Sequence, residues 1–249
     1  SDEQMADFAR WTNLSETTFV LKPLNPKADY RLRIFTTLRE LPFAGHPTLG
    51  SCHAWLEAGG QPRGEEIIQE CALGLIRVRR SAGQLAFTAP PLLRSGPVDD
   101  AVLHRVCQGL GVELNDVQQA RWVDNGPGWL ALLLADREQV LALKPDYSQL
   151  RGLAIGVVAP WAPERDGDEA QFEVRAFLAG DGMQEDPVTG SLNAGLAQWL
   201  IADGLAPSRY VASQGTAMGR AGRVFVEQVG QEIWVGGAAL TCISGTVNL

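Results

Sequence analysis

The sequence has few cysteines, and they do not form a pattern. Cys52, Cys71, Cys107 and Cys242 are widely scattered along the chain. This number and spacing exclude a disulfide scaffold and a clustered set of thiolate metal ligands. We therefore expect reduced, buried thiols in a cytoplasmic protein.

The sequence also lacks blocks of Lys and Arg, and its formal net charge is -8. Surfaces that bind phosphate backbones need clustered cations, so nucleic acid is not an expected partner. The longest apolar stretches, 129–135 and 153–162, are shorter than the ~18 residues that cross a bilayer. No basic region followed by an apolar core opens the chain, so we expect neither a membrane partner nor a secretion signal.

What is present is typical of a folded protein, with 249 residues, 45% of them apolar and 20% charged. This length suits one large domain or two medium ones. A short amphipathic helix is expected over 2–11, and helical spacing recurs at 50–56, 101–109 and 191–202. Strand-like patterns occur at 17–21, 30–36, 66–71, 74–80, 84–88, 129–135, 152–159, 172–178, 210–213, 223–229, 232–236 and 240–247.

A proline-rich stretch, 89–97, is the best candidate for a linker, because proline stops both helices and sheet ladders. We place a domain boundary there. The expected domains are an N-terminal lobe, 1–94, and a C-terminal lobe, 95–239. Residues 240–249 are a candidate to complete the first lobe.

The sequence contains an internal repeat. Nine residues, His46-Pro47-Thr48-Leu49-Gly50-Ser51-Cys52-His53-Ala54, align without gaps on Asp186-Pro187-Val188-Thr189-Gly190-Ser191-Leu192-Asn193-Ala194 and share Pro, Gly, Ser and Ala. An Arg-x-Phe element precedes each copy, and a Trp-Leu pair follows each. A repeat 140 residues apart is too long for a solenoid and indicates two similar lobes.

In each copy a proline stands where the first helical turn is expected to begin, a position that tolerates proline because its N–H has no partner in the helix. If both helix N-termini converge, their backbone N–H groups form an anion site without any lysine. We therefore expect a small anionic substrate that carries a carboxylate.

Three blocks carry a resemblance to a known family: Asn13-Leu14-Ser15-Glu16-Thr17-Thr18-Phe19-Val20, Leu41-Pro42-Phe43-Ala44-Gly45-His46-Pro47-Thr48-Leu49-Gly50 and Glu185-Asp186-Pro187-Val188-Thr189-Gly190-Ser191. Together they resemble the PhzF-like family of phenazine biosynthesis, which shares a fold with diaminopimelate epimerase. The resemblance implies an α/β fold of the α+β type with two pseudo-symmetric lobes. Each lobe would be a mixed β-sheet curled around a central helix, with the active site between them.

The resemblance also assigns roles to residues. It implies that Glu16 is the proton shuttle and that His46 and Asp186 flank the substrate. The related epimerases carry a cysteine at each of the latter two positions, so a cysteine-pair racemase is disfavoured here. We further assign Ser15, Gly45, Gly190 and Ser191 as donors to the substrate anion.

Each assignment has a structural alternative. Asn13 and Glu16 have the spacing of a capping box, and His46 can shape the helix entry by a hydrogen bond. Asp186 can be an N-cap, and the glycines and serines can serve ordinary turns.

Family members are expected to begin with a further strand and hairpin, roughly two dozen residues that this chain lacks, by analogy with the family. The resemblance also makes a homodimer an expected assembly. We expect an isomerase that moves a proton without a metal or organic cofactor. The alternatives are an epimerase or racemase with Glu16 and Asp186 as opposing bases, and a binding protein of the same fold without catalysis.

Overall fold

The computed structural model describes residues 1–81, 83–179 and 184–248. Its residues divide into two units, one made of 1–88 with 236–249 and the other of 89–235. Each unit has its own run of strands around its own central helix, and each is described by itself. Among the described residues, no helix combines the length and apolar character that crossing a bilayer would require.

The first unit is a sheet curled around one helix. Its elements are α1 (Asp2–Thr12), β1 (Thr17–Leu21), β2 (Tyr30–Phe35), β3 (Glu40–Leu41), α2 (Gly45–Glu57), β4 (Ile67–Cys71), β5 (Gly74–Ser81) and β6 (Gln84–Thr88). The strands follow the order β1-β2-β4-β5-β6, with β3 beside β2. Strands β2 and β4 are parallel, whereas β1 runs antiparallel to β2. Helix α2 packs against β1, β2 and β6, so both ends of this strand order bend toward it.

The second unit is larger but has the same arrangement of strands around a central helix. Its elements are β7 (Arg94–Pro97), α3 (Asp100–Leu110), β8 (Gln119–Asp124), β9 (Trp129–Leu133), α4 (Arg137–Ala142), β10 (Ala154–Pro160), α5 (Pro163–Asp166), β11 (Phe172–Leu178), β12 (Glu185–Asp186), α6 (Gly190–Ala202), β13 (Arg209–Gln214) and β14 (Gly222–Val229). Strand β15 (Glu232–Gly237) ends at the boundary between the units. The order is β15-β14-β13-β11-β10-β9-β8-β7, with β12 beside β11.

Helix α6 packs against β8, β9 and β14, while a second apolar core includes Val106, Leu110, Leu132 and Val157. Strands β9 and β10 are parallel to each other, and nearly all their residues are buried. Strands that are covered on both faces have sequences that are continuously apolar. The two longest apolar stretches of the sequence are therefore strands covered by protein on both sides.

These units confirm the expected mixed α/β class, with one central helix in each. The predicted helices and strands recur within one or two residues at most ends, and 17–21, 84–88 and 172–178 have the predicted bounds. Strand β8 and helix α4 were missed. Strand β8, Gln-Ala-Arg-Trp-Val-Asp, is weakly apolar, and its burial depends on the neighbours that it pairs with.

Two predicted features are wrong. The end of the expected linker, Arg94–Pro97, is strand β7, antiparallel to β8. The expected strand at 240–247 has no regular secondary structure, and Leu240 and Ile243 are exposed. A strand needs a neighbour to pair with, and apolar spacing alone does not supply one. Thr241 instead bonds to His53 and Glu57 of α2.

The two copies of the repeat enter their helices differently. In the first copy Pro47 is the third residue of α2, as the tolerance of a first turn for proline predicts. In the second copy the prediction is wrong, because Pro187 precedes Thr189, the N-cap residue of α6. The aligned sequences therefore share a proline and a helix but not the position of the proline in it.

Candidate active site

The structure brings Glu16 and His46 together. Glu16 lies immediately before β1, and His46 is the second residue of α2. Their side chains meet through a 3.1 Å hydrogen bond between His46 Nε2 and Glu16 Oε2. Side-chain exposure is 12% for Glu16 and 38% for His46. A mostly sheltered carboxyl is thus hydrogen-bonded to a partly exposed imidazole ring.

The capping-box alternative for Glu16 is wrong. Asn13 is the C-cap of α1 and adopts a left-handed backbone with φ 50°, which asparagine tolerates better than most residues. It therefore ends one helix and does not begin another. The capping box of α1 lies at its start, where Ser1 and Gln4 bond to each other's backbone.

The first turn of α2 presents backbone donors. Its N-cap is Ala44, whose side chain cannot accept a hydrogen bond, and its first helical bond runs from Thr48 N to Ala44 O at 3.1 Å. The amides of Gly45 and His46 come before that bond and point out of the helix. Ser15 is exposed in the loop just before Glu16. These residues supply N–H and O–H groups beside the Glu16–His46 pair.

Asp186 is buried in the second unit and does not cap its helix. It lies on β12 with 6% exposure, and its Oδ2 accepts a 2.6 Å hydrogen bond from Thr189 Oγ1. The N-cap alternative is therefore wrong, because Thr189 holds that position and α6 has no side-chain cap bond among the described residues. Asp186 is instead held by a neighbouring hydroxyl.

Gly190 and Ser191 are the first two residues of α6, and both are buried. Ser191 Oγ accepts a 3.0 Å hydrogen bond from the indole Nε1 of Trp129, and Asn125 Nδ2 donates to Ser191 O at 2.8 Å. An indole N–H only donates, so the Ser191 hydroxyl proton points elsewhere. Trp129 and Asn125 were missed by the sequence analysis, because no local pattern connects them to position 191.

A buried glutamine, Gln214, was also missed. It ends β13 and is 0% exposed. Its side chain bonds to the backbone or side chain of Asp186, Thr189 and Asn193. The sequence separation of about two dozen residues gives no periodic signal for these contacts.

In each unit an arginine–glutamate ion pair joins two strands that precede the central helix. Arg33 on β2 binds both carboxylate oxygens of Glu40 on β3 at 2.7 and 2.6 Å. Arg175 on β11 binds Glu185 on β12 in the same way, at 2.8 Å for both contacts. Both arginines belong to the sequence repeat, but no sequence pattern points to their glutamate partners. Paired, planar contacts of this kind fix position and orientation together.

The cysteines are not arranged for catalysis. Burial raises the pKa of the Cys52 thiol to about 11, and it also raises the pKa of Cys71 and Cys107. Their thiols therefore stay protonated near neutral pH. Cys242 is exposed, so the expectation that all four thiols are buried is wrong for this residue. No group of three or more His, Cys, Asp and Glu in the described ranges could hold a metal ion.

Comparison with known proteins gives these features a context. Residues 1–245 match the sequence profile of the phenazine biosynthesis-like protein family, PhzC-PhzF. Antisense-enhancing sequence 1 of Schizosaccharomyces pombe is 36% identical, with 98% of this chain and 88% of that protein covered. Trans-2,3-dihydro-3-hydroxyanthranilate isomerase of Pseudomonas chlororaphis is 31% identical over 100% of this chain and 90% of that protein.

A solved structure has the same fold. The crystal structure of a phenazine biosynthesis protein of the PhzF family from Enterococcus faecalis matches with a TM-score of 0.79 and 25% identity, covering 100% of this chain and 88% of that one. The family resemblance of the three sequence blocks and the enzyme class that it implied are thereby confirmed. The chain belongs to the phenazine biosynthesis-like PhzC-PhzF family and is an isomerase.

Proposed function

We propose that this isomerase moves a proton within a small carboxylate-bearing substrate and that Glu16 carries the proton. The hydrogen bond of 3.1 Å between Glu16 Oε2 and His46 Nε2 is the observation that supports this most directly. The Glu16 side chain is only 12% exposed, so little water reaches the carboxyl to exchange the proton that it takes from the substrate. A sheltered carboxyl of this kind can act as a general base and then as a general acid.

The reaction is redox-neutral and needs no other reactant. A C–H bond of the substrate breaks, its proton passes to the Glu16 carboxylate, and the electron pair delocalises into the substrate. The protonated carboxyl then returns the proton to a second carbon, where a new C–H bond forms. His46 assists by exchanging hydrogen-bond roles with Glu16, because an imidazole nitrogen can donate or accept. Asp186 is proposed as the assisting carboxylate of the second unit.

The substrate carboxylate is proposed to bind at helix N-termini. The net charge of -8 offers an anion no attraction at long range, so local donors must hold it. The backbone amides of Gly45 and Gly190, with the hydroxyls of Ser15 and Ser191, are such donors. Helix N-termini favour anions through their free N–H groups and the helix dipole.

The experiment is an NMR assay of hydrogen exchange in D2O. Trans-2,3-dihydro-3-hydroxyanthranilate is the first compound to test, because a relative is named for its isomerisation. A panel of small cyclic and amino-acid carboxylates follows. Wild-type protein is compared with Glu16→Gln, and with Glu65→Gln as a control at an exposed glutamate of the same unit.

We expect wild type and Glu65→Gln to form product and to exchange hydrogen. Glu16→Gln should bind the compound without exchange, with the rate of exchange lowered by about 10²–10⁴-fold. Full exchange in Glu16→Gln would contradict the proposed role. Exchange at one carbon with inversion of its stereocentre would instead identify an epimerase that uses Glu16 and Asp186 as opposing bases.

A further inference from the structure

Gln214 has all four hydrogen-bonding positions of its side-chain amide engaged. Its Nε2 donates to Asp186 O at 2.9 Å and to Thr189 Oγ1 at 2.8 Å. Its Oε1 accepts from Thr189 N at 3.0 Å and from Asn193 Nδ2 at 2.9 Å. Because a backbone carbonyl only accepts and a backbone N–H only donates, these partners fix which side of the amide carries the nitrogen.

This orientation decides where the Thr189 hydroxyl points. The hydroxyl has one proton, and the Gln214 –NH2 group can only donate to it. The proton is therefore directed away from Gln214, toward the Asp186 Oδ2 at 2.6 Å. Hydrogen bonds donated to an ionised carboxylate are shorter and stronger than those between neutral groups.

We propose that Gln214 is a positioning residue that holds the Asp186 carboxylate in place through the hydroxyl of Thr189. The inference rests on the proposed function, in which Asp186 assists proton transfer. Gln214 fixes both ends of this residue: it binds the Asp186 backbone carbonyl directly and the carboxylate through Thr189. The side chain of Asp186 is thus oriented by a buried group on β13.

The first unit offers a comparison for this arrangement. Gln69 on β4 is also 0% exposed, and its Nε2 donates to Thr48 Oγ1 in the first turn of α2 at 3.0 Å. Its Oε1, however, accepts from Tyr30 OH at 2.9 Å, and among the described residues no hydrogen bond joins its side chain to an acidic residue. In both units a buried glutamine supports the helix start, from β4, which is parallel to β2, and from β13, which is parallel to β11. In the second unit it also orients a carboxylate.

The test uses four variants of the full chain. Thr189→Val removes the hydroxyl but keeps the shape, and Thr189→Ser keeps the hydroxyl. Gln214→Glu keeps the acceptor oxygen but replaces the donor, so that the Thr189 hydroxyl turns toward the new carboxylate and away from Asp186. Gln198→Glu is the matched control on α6, where Gln198 Nε2 donates to the backbone carbonyls of Pro90 and Ala194.

In the exchange assay we expect Thr189→Val and Gln214→Glu to lower kcat by roughly 10–100-fold with KM little changed, since a misplaced catalytic group costs rate in this range. Thr189→Ser and Gln198→Glu should keep the wild-type kcat. The double variant Thr189→Val with Gln214→Glu should be no slower than the poorer single one, because both act on the same contact. The inference would be overturned if the fold-loss of kcat in the double variant equalled the product of the two single losses, or if kcat were unchanged in both single variants.

A second measurement does not depend on turnover. The Asp186 13Cγ signal, assigned with Asp186→Asn in protein labelled with 13C-aspartate, should move by more than its line width in Thr189→Val and Gln214→Glu and stay in place in Thr189→Ser and Gln198→Glu. An unmoved signal in folded Thr189→Val overturns the inference. If the signal moves but wild type exchanges no tested compound, the positioning of Asp186 stands and the proposed function fails.

Discussion

The two units carry the same sequence motif but differ in what surrounds the start of its helix. In the first, the second residue of α2 is His46, 38% exposed and bonded to a carboxyl from the loop before β1. In the second, the start of α6 is a network of buried Thr189, Ser191 and Gln214. The comparison shows that the shared motif leads into a central helix in both units, although the helix begins at a different position in each copy. The strands and loops beside the helix decide whether the side chains at its start are partly exposed or buried.

The two central helices also differ in burial, and α6 is the more buried of the two. Ten of the thirteen residues of α6 are buried, against six of thirteen for α2. A helix that is buried all round holds its first turn firmly, because each side chain is fixed by packing. In the proposed function, therefore, the first unit carries the proton on Glu16, and the second unit holds Asp186, the assisting carboxylate, in a rigid surrounding.

The sharpest way to break this assignment is to compare Glu16→Gln with Ser191→Ala. Loss of the proton carrier should lower kcat by about 10²–10⁴-fold. Loss of one hydroxyl donor to the substrate anion should raise KM by roughly tenfold, since such a bond is worth about 1.5 kcal/mol or more, and should leave kcat nearly unchanged. Steady-state kinetics separates the two, and a loss confined to kcat in Ser191→Ala would contradict the division of roles.

The two arginine–glutamate pairs should give the next largest difference between the units, in the free energy of unfolding that each contributes. The Arg175–Glu185 pair is 6% and 12% exposed, and Arg33–Glu40 is 13% and 35% exposed. Arg175→Met should lower the free energy of unfolding by about 3–5 kcal/mol, because it leaves a buried carboxylate unpaired. Arg33→Met should cost about 1 kcal/mol, as is usual for pairs near solvent. Urea denaturation measures both.

A double variant controls the arginine experiment. Arg175→Met combined with Glu185→Leu removes both charges, so much of the lost stability should return. If Arg33→Met proves as costly as Arg175→Met, the greater rigidity of the second unit is not supported at this point.

Alanine substitutions at glycines of the two helices should give the smallest change in the free energy of unfolding. The sign of the change should be opposite in α6 and α2. A Cβ at Gly195 in α6 would lie 2.2 Å from the backbone oxygen of Val123, whereas one at Gly50 in α2 meets nothing within 4 Å. Gly195→Ala should destabilise the protein by about 1–3 kcal/mol through overpacking. Gly50→Ala should stabilise it by up to about 1 kcal/mol through helix propensity. Thermal unfolding checks both signs, and a stabilised Gly195→Ala would contradict the close packing of α6.

Sequence patterns predicted regular structure best where local spacing is enough. Strand β11 and helix α6 have apolar residues at a spacing that identifies the element without knowledge of its neighbours. Residues 240–247 have similar spacing but form no strand, because pairing depends on a partner that local spacing does not specify. Strand β8 shows the reverse, since pairing with β7 and β9 makes a strand from a weak pattern.

The candidate site shows the same limit. Family resemblance singled out Glu16, His46 and Asp186, and the structure joins the first two. The roles of Glu16, His46 and Asp186 in the reaction remain predictions. Trp129, Thr189 and Gln214 could not be found from sequence, because each acts through a contact with a residue that is distant along the chain or ordinary in its local pattern.

By itself, the sequence determined the class of fold, the repeated motif and the family. These depend on residue types and their order along the chain. Only the tertiary structure decided that His46 bonds to Glu16 and that Asp186 bonds to Thr189, which in turn bonds to Gln214. Hydrogen bonds form between side chains within about 3 Å, and the distances between residues far apart in sequence are set by how strands pair and helices pack.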